Sequence, residues 1–160
     1  SVYHIFAHAA GKALLFIAVI GLTDVSGFSR RFIDQTGAGF RNKIAGIGFT
    51  VGSLSMVGVP VFAGFVSKIL FAQAAVNNSR KLLPTMIVLA VSTILNAIYF
   101  MKTVIRIYTP APDCGYEGVA LRKEKLYALS ILLFIALNIA LGMSSQPVVD
   151  AISTGLDMFG

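Results

Sequence analysis

Apolar positions in this chain come in long runs separated by short polar breaks. A helix that crosses a bilayer needs about 20 mostly apolar residues, and the runs divide on that measure. Val2 to Thr23 is the first candidate span. A polar, glycine-bearing connection from Asp24 to Lys43 follows. It carries Arg30, Arg31, Arg41 and Lys43, and a short amphipathic helix is expected around Phe28 to Ile33. The next uncharged run begins at Ile44 and stays apolar past Lys68 to Val76, too long for one straight crossing. Its middle holds Gly58, Pro60 and Gly64. Proline removes a backbone donor and clashes with the preceding turn, and glycine permits a sharp bend. These residues predict a helix break, with one helix over Ile44 to Val57, open to extension at its start, and another over Val61 to Asn77. Gly48 and Gly52 have the spacing that lets helices approach closely in lipid.

A polar break from Asn77 to Lys81 precedes a span from Leu82 to Tyr108. Pro84 lies in its first turn, where proline is tolerated. Lys102 and Arg106 lie near its far end, where long basic side chains reach toward the interface. A loop with Pro110, Pro112 and Cys114 leads to Arg122, Lys123, Glu124 and Lys125, then to a last span from Leu126 to Gln146. Pro147 to Gly160 is expected as a short amphipathic surface helix. The fold class is therefore all-α: a polytopic transmembrane bundle of about five membrane helices, with one Pro/Gly-interrupted region near 58–64. If each helix is a crossing, the basic residues of the connections divide six against five between the two sides, and the positive-inside rule assigns no orientation.

Composition agrees with a lipid-embedded chain. Hydrophobic residues make up 56% and charged residues 12%, with a mean hydropathy of +0.82. Soluble domains carry about twice that charged share. The net charge of +6 sits beside apolar spans, as membrane anchors do, and forms no stripe interleaved with aromatics, which argues against nucleic acid. The single cysteine, Cys114, can neither close an internal disulfide nor ligate an iron–sulfur cluster alone, so no cofactor is expected. No phosphate loop, metal-ligand cluster or nucleophile–base pair stands out, and the chain offers no catalytic site of its own. Because it starts inside an apolar helix pattern, it reads as the C-terminal portion of a longer protein, residues 1–160 forming one transmembrane domain.

The candidate chemistry lies in buried charge. His4, His8 and Lys12 recur every four residues, which places them along one side of an apolar helix. Ionisable groups inside a membrane are costly, face the bundle interior and mark ion or proton paths, and histidine titrates near physiological pH. Lys68 falls near the middle of its helix among Phe65, Ile69, Leu70 and Phe71. A charge at the bilayer centre costs about 2.5–3.5 kcal/mol on insertion scales. The adjacent break frees backbone carbonyls that can solvate an ammonium, and such breaks recur at transporter binding sites. Thr50, Ser53, Ser55, Ser67, Gln73, Ser92, Thr93 and Asn96 can hold water between charged groups or join helices.

The segments from His8 to Phe16 and from Gly58 to Lys68 carry the patterns H-x-x-x-K-A-x-L-F and G-x-P-x-x-x-G-F-x-S-K. In them the chain resembles the antiporter-like, proton-translocating subunits shared by respiratory complex I (NADH:quinone oxidoreductase) and Mrp-type cation/proton antiporters. The resemblance covers nearly the whole chain and corresponds to the C-terminal third or so of such a subunit. It implies a path of buried charges along the membrane midplane. Lys68 matches the lysine of the C-terminal half-channel, on an interrupted helix, and Lys12 and His8 match the connecting relay. His4 matches a histidine found in part of the family. The family's acid–lysine pair of the N-terminal half-channel has no counterpart here, and its members hold no redox cofactor of their own. The implied function is proton translocation, alone or coupled to Na+ or another cation, within a multisubunit complex in a bacterial cytoplasmic (inner) membrane. The implied partners are other membrane subunits, the lipid bilayer and the transported ions. The chain would be a subunit of an NADH:quinone oxidoreductase-like translocase or an antiporter. The alternative is a non-transporting scaffold subunit in which the buried lysines only join helices.

Overall fold

The structure is a computed structural model that describes residues 2–29, 31–76, 79–110 and 125–157. The expected loop around Cys114, with Arg122, Lys123 and Glu124, lies outside them.

Among the described residues seven α-helices follow one another: α1 (Val2–Asp24), α2 (Ala38–Arg41), α3 (Lys43–Val57), α4 (Ala63–Val76), α5 (Ser79–Ile107), α6 (Lys125–Met143) and α7 (Ser145–Asp157). A 3-10 turn at Phe32–Gln35 precedes α2. Among the described residues three helices are long and apolar enough to cross a membrane: α1, α5 from Leu82, and α6. The two shorter apolar helices are α3 and α4. The chain is an all-helical membrane bundle, and the five apolar helices expected from the sequence are all present.

Two local expectations change. Among the described residues no α-helix forms around Phe28 to Ile33, and a 3-10 turn begins at Phe32 instead. Gly27 and Phe28 both take left-handed backbone angles, with φ of 65° and 57°, and that turns the chain before a helix can start. Nor does α3 extend backward. Asn42 caps it, its side chain accepting from the Ala45 amide at 3.1 Å and donating to the Gly21 carbonyl at 3.4 Å. A cap of this kind ends the helix while satisfying one of its free donors.

At about 1.5 Å per residue, α3 with 15 residues and α4 with 14 are each too short for a hydrocarbon core about 30 Å thick. Their neighbours show how they are used. Descending α1 from Gly21 to His4, the partners rise through Asn42, Gly48, Gly52, Ser55 and Ser67. Both short helices therefore run antiparallel to α1 and in the same direction as each other, and together they make one broken crossing. α5 runs antiparallel to this pair, with Phe100 near Phe49 at 6.4 Å between rings and Thr93 against Lys68. α6 runs alongside it, with Ile131 beside Gly48 and Asn138 bonded to Ser55. Among the described residues the five apolar helices thus make four passes from one end of the bundle to the other, α3 and α4 sharing one.

Small residues allow the tight packing. A Cβ at Gly48 would lie 2.8 Å from Ile131, and one at Gly52 would lie 2.9 Å from Leu15. The two glycines thus open α3 to different neighbours, α6 and α1. Leu14 and Ala18 are fully buried, and Tyr3 nearly so, its hydroxyl donating to the Leu141 carbonyl at 2.6 Å. The outward faces of α5 and α6 are apolar and exposed, with Val88, Leu95, Ile98, Leu129 and Leu132 among them. α7 lays Val149 and Ile152 on the cluster of Tyr3, Ala7 and Ala63.

Candidate functional site

The break between α3 and α4 organises the site. Gly58 ends α3 in the left-handed conformation, φ 89°, and its amide bonds back to Leu54 and Ser55. Val61 also has a positive φ of 90°, a costly state for a β-branched residue. The strained turn is seated from both sides. A Cβ at Gly142 of α6 would overlap the Val61 carbonyl, and one at Gly64 would overlap the Ser55 carbonyl. Gly58 and Gly64 thus flank the turn that contains Pro60, and Gly142 of α6 packs against it.

Ending α3 at Val57 leaves its carbonyl without an intrahelical donor. Lys68 supplies one. Its Nζ donates to the Val57 carbonyl at 2.5 Å and to Thr93 Oγ1 of α5 at 2.7 Å. Each hydrogen bond to a charged group contributes about 1.5–3 kcal/mol, so two of them offset the cost of about 2.5–3.5 kcal/mol for holding that charge in the membrane. Thr93 accepts this bond while donating to the Leu89 carbonyl at 2.8 Å.

Beside Lys68 lies a cavity of about 570 Å³. His4, His8, Ser55, Ser67, Lys68, Ser92 and Asn96 bring polar groups to its wall, between apolar contributions from Met56, Phe71, Val88 and Leu89. His4 Nδ1 and Ser67 Oγ are hydrogen-bonded at 2.5 Å. The rings of His4 and His8 stack with centroids 5.3 Å apart, and Phe71 meets His4 edge-on at 5.1 Å. With about 30 Å³ per water molecule in the liquid, the cavity has room for a connected group of waters.

The structure thus brings together His4, His8 and Lys68. It does not bring Lys12 with them: that residue is exposed on the outer side of α1 and does not line the cavity. Each step of four residues overshoots a helical turn by about 40°. Two steps from His4 carry Lys12 about 80° around the helix, off the cavity face.

Sequence reasoning passed over Asn138. It is fully buried on α6 and accepts from Ser55 Oγ at 2.8 Å, one turn before the break. A lone asparagine within the apolar run Leu126 to Met143 was the available signal, since polar side chains in such runs join helices.

Comparison with known proteins points one way. A family model described as "NADH:quinone oxidoreductase/Mrp antiporter, TM" matches residues 1–95. NADH-quinone oxidoreductase subunit N of Flavobacterium johnsoniae is 26% identical over 158 residues, covering 92% of this chain and 33% of that protein. The subunit N of Acinetobacter baumannii (strain AB0057) is 30% identical over 118 residues, covering 73% and 23%. A Staphylococcus aureus (strain JH9) protein named as antiporter subunit mnhD2 is 25% identical over 159 residues, covering 99% and 31%. The chain spans about a third or less of the length of these curated relatives. No solved structure gives a significant match. A helix break with a half-buried lysine beside it, a bundle of apolar helices and a family match over more than half of its residues have one common reading: the chain belongs to the NADH:quinone oxidoreductase/Mrp antiporter transmembrane family.

Proposed function

We propose that this chain is the C-terminal transmembrane domain of a proton-translocating subunit, and that Lys68, His8, His4 and Lys12 carry the proton. The observation that carries this reading is the position of the Lys68 ammonium, hydrogen-bonded to the Val57 carbonyl freed by the helix break and to Thr93, on the wall of a cavity that His4 and His8 share. In this mechanism Lys68 gives a proton to cavity water and becomes a neutral amine, and His8 or His4 takes the proton up. Reloading Lys68 restores the ammonium and its bonds. Lys12, turned outward on α1, passes the proton on to groups beyond the described residues. Coupling to Na+ or another cation, and a drive from partner membrane subunits, belong to the same proposal. So does a place in a bacterial inner membrane, in keeping with the bacterial relatives. In this reading no redox cofactor is needed within the chain.

One feature also fits a scaffold role, since Lys68 joins the end of α3 to α5 through its two hydrogen bonds. The test separates the two readings. Proton and Na+ flux are measured in vesicles holding the full-length protein with its partner subunits, wild type against Lys68→Met. Loss of flux by about tenfold or more at equal assembly is expected. Unchanged flux at equal assembly would reduce Lys68 to a helix-joining residue.

A further inference from the structure

At the end of the bundle where α1 finishes, residues 28–41 carry exposed apolar side chains. Phe28 is 78% exposed and Ile33 66%, with Phe32 and Phe40 partly open as well. Within this apolar collar two guanidinium groups converge on one residue. Arg41 Nη2 donates to the Thr36 carbonyl at 3.1 Å, and Arg106 Nη1, from α5, donates to Thr36 Oγ1 at 3.4 Å. The Arg106 guanidinium also lies 5.2 Å from the centre of the Phe32 ring. Asp34, the acid nearest to Arg41 in the sequence, accepts from Ser29 Oγ. Arg41 Nε is buried and has no hydrogen-bond partner among the described residues.

We infer that Arg41 and Arg106 form a binding site for the phosphate group of an anionic phospholipid. Two like charges held around one threonine repel each other unless an anion lies between them. A buried guanidinium donor left unpaired carries a desolvation cost and marks where an acceptor belongs. A phosphate oxygen suits that donor and the second guanidinium together, because arginine's planar fork matches phosphate geometry. The surrounding side chains identify the source of the phosphate. Phe28, Phe32, Ile33 and Phe40 place apolar surface beside the two cations at a helix end, the level at which headgroups and acyl chains meet. Basic pockets between transmembrane helices bind lipid headgroups in this way. Arg106 thus turns back across the bundle end to the collar, whereas Lys102 is exposed.

The experiment uses the full-length protein assembled with its partner subunits, in nanodiscs of phosphatidylcholine doped with phosphatidylglycerol. After detergent washing, retained lipid is counted by native mass spectrometry. Wild type is expected to keep phosphatidylglycerol, and the double variant R41Q/R106Q to retain it about tenfold less or worse, since each charge-assisted bond is worth that much. R41K/R106K, which keeps the charge without the forked donors, is expected to fall between them. K102Q, at the same end of α5, is expected to retain lipid as wild type does. Equal retention by R41Q/R106Q overturns the inference. So does inorganic phosphate that protects the complex from heat as well as phosphatidylglycerol does, or a cross-link from Arg41 to a carboxylate of a partner subunit. Should R41Q/R106Q fail to assemble, photoactivatable phosphatidylglycerol on the wild-type complex decides: labelling within residues 28–41 is expected, and its absence is fatal to the proposal.

Discussion

Ser55 and Asn138 form a buried hydrogen bond across two helices, 2.8 Å long, with the two residues 2% and 0% exposed. Removing either partner should have unequal effects. In Asn138→Leu, the Ser55 hydroxyl can turn back to the carbonyl one turn earlier, as Ser53 does to Phe49 at 2.6 Å. The interhelical bond is then lost, worth about 0.6 kcal/mol on average and at most about 1.7 in membrane proteins, together with the weak 3.3 Å bond from Asn138 Nδ2 to the Phe134 carbonyl of its own helix. In Ser55→Ala, the Asn138 carbonyl oxygen stays buried with no donor, which costs about 1–3 kcal/mol. Losing both partners removes the orphan, so the double variant should be no less stable than Ser55→Ala alone. The cycle therefore predicts a coupling of about 1 kcal/mol, with the serine substitution the more damaging single change. Reversible unfolding of the full-length protein in mixed micelles reads all four variants. Additive effects within about 0.3 kcal/mol, or a larger loss in Asn138→Leu, would refute the reasoning.

Gly64→Ala places a methyl group onto the Ser55 backbone carbonyl, which has no rotamer with which to yield. α3 and α4 must separate, at a cost of about 1–3 kcal/mol. The expected result is a lowered Tm and weakened flux, and a wild-type Tm would count against this packing. Asn42→Ala removes the cap of α3 and should cost about 0.5–2 kcal/mol in the same unfolding assay. Asn42→Asp, which keeps the acceptor for the Ala45 amide, should recover most of that loss, and failure to do so would assign the effect to the Gly21 contact.

Local chemistry made much of this legible in the sequence. Gly58, Pro60 and Gly64 announce the break because their backbone limits act within a few residues. The long uncharged runs announce the helices because lipid demands them. What escaped depends on relations between segments. The amphipathic pattern at Phe28 to Ile33 says nothing of the left-handed turn at Gly27 and Phe28. The even spacing of His4, His8 and Lys12 conceals a rotation that builds up along the helix. No sequence pattern states that α3 and α4 run in the same direction, because their contacts with α1 decide it.

That shared direction redistributes the charges of the whole chain. With α3 and α4 as a single crossing, the connection holding Arg80 and Lys81 moves to the opposite side from the one holding Arg30, Arg31, Arg41 and Lys43. By sequence, Lys102, Arg106, Arg122, Lys123 and Lys125 then join the first group, giving nine basic residues at one end of the bundle against two at the other. The even split becomes a steep one, and the positive-inside rule predicts the Asn42 end on the cytoplasmic side and the Arg80 end on the other. On intact cells, a membrane-impermeant thiol reagent should label a cysteine introduced at Ser79 and spare one introduced at Ser29; the reverse pattern would invert the bundle. A break between two half-length helices thereby predicts which way the domain faces.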